Sequence, residues 1–432
     1  MNALFQARWW RHVYLPLLLL SLLPTIIRYH RSHPRAAVWS DSEGYYVYLP
    51  GLFNVGLHHL PAGTLGQQNA VGEYYTKYTC GVALAEAPLF LVARTMADVQ
   101  GLDRSDIFHP LYIWAVVATG WLVAGLGLFL LQRALRERSF AEPVVALTIV
   151  GTLLGTNLFH YVVREPGMSH VYSFALLAMV ALLTPRFYAK PTALRAALLG
   201  AVLGWLILIR PTVVLGLPVV VFFDVYSVAT WRARLQFWRR HWTYLALATV
   251  IGAMFLVPQL LYWRTMLGQW VKYSYAGEGF PYWNRPKIPA VLFDSQNGLF
   301  TYSPLVLLSV AGLWLGWRDR RVQAPPLALT FGLITWVFAS WWAWWFGGAF
   351  GHRCYVEYYA LLAFPLALVF ERVLRLGLVP ARALALGGIA FLIFYAVRLD
   401  FLYASQGRPW DGPEWRWNLD QMRALWAQLF RF

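Results

Sequence analysis

Long apolar runs recur from one end of this chain to the other. They include "VYLPLLLLSLLPTII" (13–27), "LYIWAVVATGWLVAGLGLFLL" (111–131) and "ALALGGIAFLIFYAV" (383–397). In hydrocarbon every backbone N–H and C=O must be bonded within the segment, which leaves helices and closed barrels. Runs of about 17–25 residues span as helices, whereas barrel strands need only about ten alternating residues. The chain therefore reads as an all-α polytopic membrane protein. Its charged fraction agrees: 13% of 432 residues, where a soluble domain carries roughly 25%. The first run lacks a small-residue cleavage site and reads as a retained span. Cys80 and Cys354 are the only cysteines, far apart and outside any CxxC spacing. Neither a disulfide framework nor a thiolate metal site follows.

The runs place spans near 13–27, 111–131, 143–161, 170–184, 194–209, 211–223, 243–262, 298–316, 325–345, 356–370 and 383–397. Residues 80–96 are also apolar but contain Glu86, Pro88 and Arg94, which suits a helix lying in the interface. Charge tests that choice. With Arg8 and Arg11 inside, the inner loops become "RALRER" (133–138), "RFYAKPTALR" (186–195), "WRARLQFWRRH" (231–241), "RDRR" (318–321) and "ERVLR" (371–375). These are arginine clusters with few acids, as the positive-inside rule requires. They also account for much of the net charge of +16 without nucleic acid. A full span at 80–96 would invert every later loop. The chain then forms one transmembrane domain, 1–432, with external segments at 29–110, 263–297 and 399–432. Most acids fall outside, so a site is expected at the external face of a bacterial-type inner or plasma membrane.

The polar stretches on that face supply the chemistry. "SDSEG" (40–44) contains a Ser-x-x-Glu capping box, in which Glu43 would reach back to the Ser40 amide. That explains Glu43 better than Asp41, which at neutral pH is ionised and suited to accept a proton from an attacking hydroxyl. A phosphate leaving group needs no general acid, but it does need cations. Lys77, Arg210, His352 and Arg353 are the candidates to hold it. Arg210 stands out because a charge flanked by apolar residues marks a cavity or an ion pair. Glu73 and Tyr74 of "EYYTKY", Glu165 and His170 of "REPGMSH", Asp294, Gln296 and Asn297 of "DSQNG", and Trp345 and Glu357 fill out the substrate-binding set. The 294–298 turn has a plainer reading as a helix cap, Trp345 as part of the aromatic belt, and His170 as a satisfied interfacial histidine. His160, Glu165 and His170 match no recognised metal spacing. No cofactor is implied, and a divalent cation stays compatible with the acidic loop.

In layout, the chain resembles the GT-C membrane glycosyltransferases, in the branch with the protein O-mannosyltransferases and the lipid A aminoarabinose transferase. The resemblance rests on "SDSEGYYVYLPGLF" after the first span, "KYTCGVALAEAPLFLVAR" as a second interfacial helix, "LGWLILIRPT", "GLFTYSPL" and "WWFGGAFGHRCYVEYYALLAFPLAL". It implies a GT-C fold with about eleven transmembrane helices and interfacial helices in the first external loop. It also implies a polyprenyl-phosphate-linked sugar as donor and an acid of the first loop as base. That role carries over to Asp41, with Glu43 second. The acceptor is left open among glycan, lipid and protein. Lys77 is followed by Tyr78-Thr79 where the family has Pro-Pro, and no large external domain follows the last span. A transporter or flippase for a lipid-linked sugar is the alternative, although no internal repeat is found.

Overall fold

The structure is a computed structural model that describes residues 10–61, 66–273, 275, 277–405 and 419–431. Arg8 and residues 406–418 and 432 of the expected C-terminal segment lie outside the described residues. In chain order the principal helices are α1 (Trp10–Ser32), α2 (Asp41–Tyr46), α3 (Gly81–Val99), α4 (Pro110–Glu137), α5 (Glu142–Leu154), α6 (Ser169–Ala189) and α7 (Ala193–Ile209). They are followed by α8 (Val228–Arg240), α9 (Trp242–Met254), α10 (Val257–Leu267), α11 (Val306–Leu315), α12 (Ala324–Ser340), α13 (Tyr359–Leu374), α14 (Val379–Ser405) and α15 (Leu419–Ala427). The sheet among the described residues is one antiparallel pair, Gln67–Gln68 against Tyr74–Tyr75.

Among the described residues, six helical segments are long and apolar enough to cross a membrane. They are His12–Ser32, Pro110–Glu137, Ser169–Ala189, Trp242–Leu267, Arg353–Leu374 and Val379–Ser405. The runs expected near 143–161, 194–209, 211–223, 298–316 and 325–345 form shorter apolar helices. Local chemistry explains the shortening. Pro211 lacks an N–H and divides the 194–223 stretch, Ser303-Pro304 interrupts 298–316, and α12 stops before the tryptophan run. The α3 helix, bearing Glu86, Arg94 and Asp98, is not among the spanning candidates and packs on α2 and α4.

Burial orders the bundle. The Arg353–Leu374 segment is enclosed on all sides and α6 nearly so, whereas Trp242–Leu267 lies at the periphery. That outer segment docks through small residues, with Gly200 and Gly204 of α7 facing Ala248 and Gly252 of α9. A Cβ added at Gly204 would stand 2.2 Å from the Gly252 carbonyl oxygen. Small residues four apart let helix backbones meet this closely.

A buried ionic lock ties α14 to the turn before α6. Asp400 receives His160 Nδ1 at 2.6 Å and Arg164 Nη2 at 2.7 Å, and all three side chains are almost fully enclosed. The His160 ring stacks on Phe350 at 5.0 Å, and the Arg164 guanidinium lies 4.8 Å from the Tyr29 ring centre. Removing one partner of such a pair strands the other charge. Asp400→Asn is therefore expected to cost about 3–5 kcal/mol, read as a lowered melting temperature in detergent. Gly204→Leu, by overpacking, should cost about 1–3 kcal/mol in the same measurement.

Candidate active site

Three cations converge at one end of the bundle, each delivered by a different backbone device. Arg210 is the residue before Pro211, and a pre-proline residue is pushed out of the helical region. Its φ of −149° and ψ of 113° end α7 in an extended turn. The guanidinium then meets the first turn of α6: Nη1 lies 2.9 Å from His170 Nδ1 and 3.7 Å from Glu357 Oε1. Nη2 donates to Cys354 Sγ at 3.3 Å. Glu357 is fully buried and also touches His170 Nδ1 at 3.0 Å, so it fixes both neighbours.

Arg353 comes at the end of the loop 341–352, which is clamped along its length. His352 Nε2 lies 3.0 Å from the Trp344 carbonyl oxygen. Asn297 donates to the carbonyls of Trp345 and Gly347 at 2.8 and 3.0 Å, and Asn157 to that of Phe350 at 2.9 Å. Gly351 has φ +67°, and a Cβ there would approach the Tyr302 side chain to 2.8 Å. Glycine alone meets both demands. The clamped loop places Arg353 Nη2 at 2.8 Å from Asp41 Oδ2.

Asp41 opens α2 behind Ser40, whose φ is +56° and ψ −129°. The capping box expected at Ser40 and Glu43 does not form. An N-cap residue needs β-region angles, and Ser40 makes no side-chain cap bond. Ser42 instead donates to the Trp39 carbonyl at 2.6 Å, and the buried Glu43 carboxylate lies 3.9 Å from Arg35. The two acids thus have different cationic neighbours. Tyr78 donates to Asp41 Oδ1 at 2.6 Å, and the Tyr45 ring meets Tyr78 edge-on at 4.9 Å. Burial pushes the Asp41 carboxyl up. Arg353, the Tyr78 hydroxyl, Arg210 and Lys77 outweigh it and hold the group below the usual carboxylate range.

Lys77, next to Tyr78, reaches across to the second long loop. Its Nζ donates to Glu278 Oε1 at 2.7 Å and lies 5.0 Å from the Tyr275 ring centre. Trp342 Nε1 approaches the other Glu278 oxygen at 3.4 Å.

Of the residues singled out from the sequence, Asp41, Lys77, His170, Arg210, Arg353 and Glu357 belong to this linked constellation. His352, Asn297 and Trp345 belong to the clamped loop. Asp294 closes a turn by accepting from the Gln296 amide at 2.7 Å. Glu165 stands 3.7 Å from His160 Nε2, beside the Asp400 lock. Glu73 is bonded to His58 at 2.9 Å in a separate surface turn, and Tyr74 pairs there with Gln68. Among the described residues no three His, Cys, Asp or Glu side chains are grouped to hold a metal ion. Tyr78, Glu278 and Asp400 were not singled out. Adjacency to Lys77 is a sequence signal for Tyr78, and the aromatic and basic residues of the 264–293 loop are one for Tyr275, but nothing local marks the other two.

No protein-family model and no curated protein matches the sequence. A solved structure does match: ArnT from Cupriavidus metallidurans, crystallised bound to undecaprenyl phosphate. The similarity has a TM-score of 0.57 at 15% identity and covers 94% of this chain and 67% of the ArnT chain. At that identity the likeness establishes architecture, and the chain has the GT-C fold.

Proposed function

We propose that the protein is a membrane glycosyltransferase that takes its sugar from a polyprenyl phosphate and transfers it with inversion to an acceptor hydroxyl. The observation carrying this reading is Asp41, a part-buried carboxylate bonded at once to a phenol and to Arg353, with Arg210 and Lys77 in the same field. The fold shared with a protein crystallised on undecaprenyl phosphate supports the donor class.

On this reading Asp41 accepts the acceptor's proton as its oxygen attacks the anomeric carbon. The bond from that carbon to the phosphate oxygen breaks, and the phosphate leaves as an anion. Arg353 and Arg210 offer planar forks for its oxygens, and Lys77 offers a point charge. Base and leaving group act on opposite faces of the sugar, so the anomeric configuration inverts. The ion pair also couples binding to chemistry. A phosphate that draws Arg353 toward itself frees an Asp41 oxygen and removes the strongest influence lowering its basicity. Asp41 would work at the external, periplasmic face of the membrane.

The test is release of polyprenyl phosphate from a panel of polyprenyl-phosphate sugars incubated with purified protein and acceptor extracts. Asp41→Asn should slow release by about 10²–10⁴-fold, the usual weight of a positioned base, while donor binding persists. A wild-type rate in that variant would remove Asp41 from the reaction. Transbilayer movement of a labelled donor without covalent product would favour the transporter reading. Tyr78→Phe takes away a hydrogen bond that lowers the Asp41 pKa. The carboxylate then protonates at higher pH, so the acid limb of the pH–rate profile should move upward. A limb that stays in place would sever Tyr78 from Asp41.

A further inference from the structure

A second charged cavity lies at the other end of the same helices. His170, in the first turn of α6, belongs to the Asp41 constellation. Arg186, in its last turn, lines a cavity of about 510 Å³. At 1.5 Å per residue the two stand roughly 24 Å apart along the helix. Four arginines line this cavity, Arg138, Arg186, Arg320 and Arg321, against two carboxylates, Glu137 and Asp224. Three of the arginines have carboxylate partners. Arg186 pairs with Glu137, and Arg320 with Asp224 at 3.2 Å. Arg321 pairs with Asp319 and Glu371, each at 2.8 Å.

Arg138 differs. Its Nη1 donates to the Arg321 carbonyl at 2.7 Å, and its guanidinium lies 4.5 Å from the Phe364 ring centre and 5.5 Å from that of Phe223. Among the described residues no carboxylate is within ion-pair distance of it. A part-buried guanidinium with ring and carbonyl neighbours, which feels the Asp224 charge but is ion-paired with no described carboxylate, favours an anion. Arginine's fork suits phosphate in particular. The remaining wall, with Ala134, Ala181, Leu182 and Phe223, is apolar. We propose that this cavity binds a phosphate group, carried on a lipid headgroup or free, at the face opposite Asp41. Arg138 is its central ligand, and the apolar wall suits the start of a lipid chain. Transfer at Asp41 makes no use of such a site, so it is a separate binding function.

The test uses the full chain purified in detergent. Native mass spectrometry would compare retention of phosphatidylglycerol with phosphatidylcholine, and a thermal-shift titration would use inorganic phosphate. Wild type should retain the anionic lipid about tenfold more than the zwitterionic one, a difference of about 1.4 kcal/mol. Arg138→Gln and Arg320→Glu should each abolish that preference. The Arg320 side chain is 66% exposed, so its reversal leaves folding out of the result. Arg104→Gln, an exposed cation just before the start of α4 and outside both sites, should leave the preference intact. A thermal shift with inorganic phosphate that is lost in both arginine variants assigns a soluble source. Lipid preference without that shift assigns the headgroup. The proposal is overturned if neither probe distinguishes wild type from the Arg138 and Arg320 variants, or if Arg104→Gln removes the preference equally.

Discussion

The ion pair between Arg353 and Asp41 joins two parts of the chain more than three hundred residues apart. Arg353 begins the most enclosed segment of the bundle, and Asp41 begins the short helix of the loop that follows α1. Taking two charges out of water is unfavourable unless geometry and further hydrogen bonds repay it. The surroundings meet that condition. The Tyr78 hydroxyl takes up the second Asp41 oxygen, and the Arg353 side chain arrives on a loop with little freedom to move. Without the clamp, the guanidinium would have to be ordered afresh each time it was used.

The clamp shows how scaffold and chemistry divide among neighbouring residues. His352 and Arg353 are adjacent, yet one ring nitrogen of the histidine faces a carbonyl of its own loop while the arginine faces across to Asp41. Asn297 likewise spends its amide on two backbone carbonyls of that loop. A polar residue beside a site is as apt to fix the backbone as to touch a ligand, and sequence position does not separate the two.

Much of the helical architecture was legible because it follows from the length of the apolar runs, which announce helices where they approach spanning length. The break at Pro211 was legible; where helices came out shorter than expected, the causes included Pro304 and the turn before the tryptophans. Asp41, Lys77, Arg210 and Arg353 stood out because charge is expensive beside long apolar stretches. The illegible part depended on distant partners or on backbone angles. The Asp400 lock joins positions more than two hundred residues apart, with no local mark at Asp400. The capping box at Ser40 was a sound local pattern that lost to a positive φ. Gly200 and Gly204 show their purpose only once α9 is laid against them.

The Lys77–Glu278 contact gives the site the character of an ion exchanger. The first loop supplies the fixed cation, and the second long loop supplies a resident carboxylate that already occupies it. On the proposed function, an arriving phosphate takes over a position that Glu278 holds, and a departing one is replaced by the same group. Lys77 is then never left unpaired, so neither loading nor emptying passes through a stranded charge. Occupancy is set by the difference between two anions for one ammonium. On the proposed function, such an arrangement gives up tight binding in favour of ready release of the phosphate product.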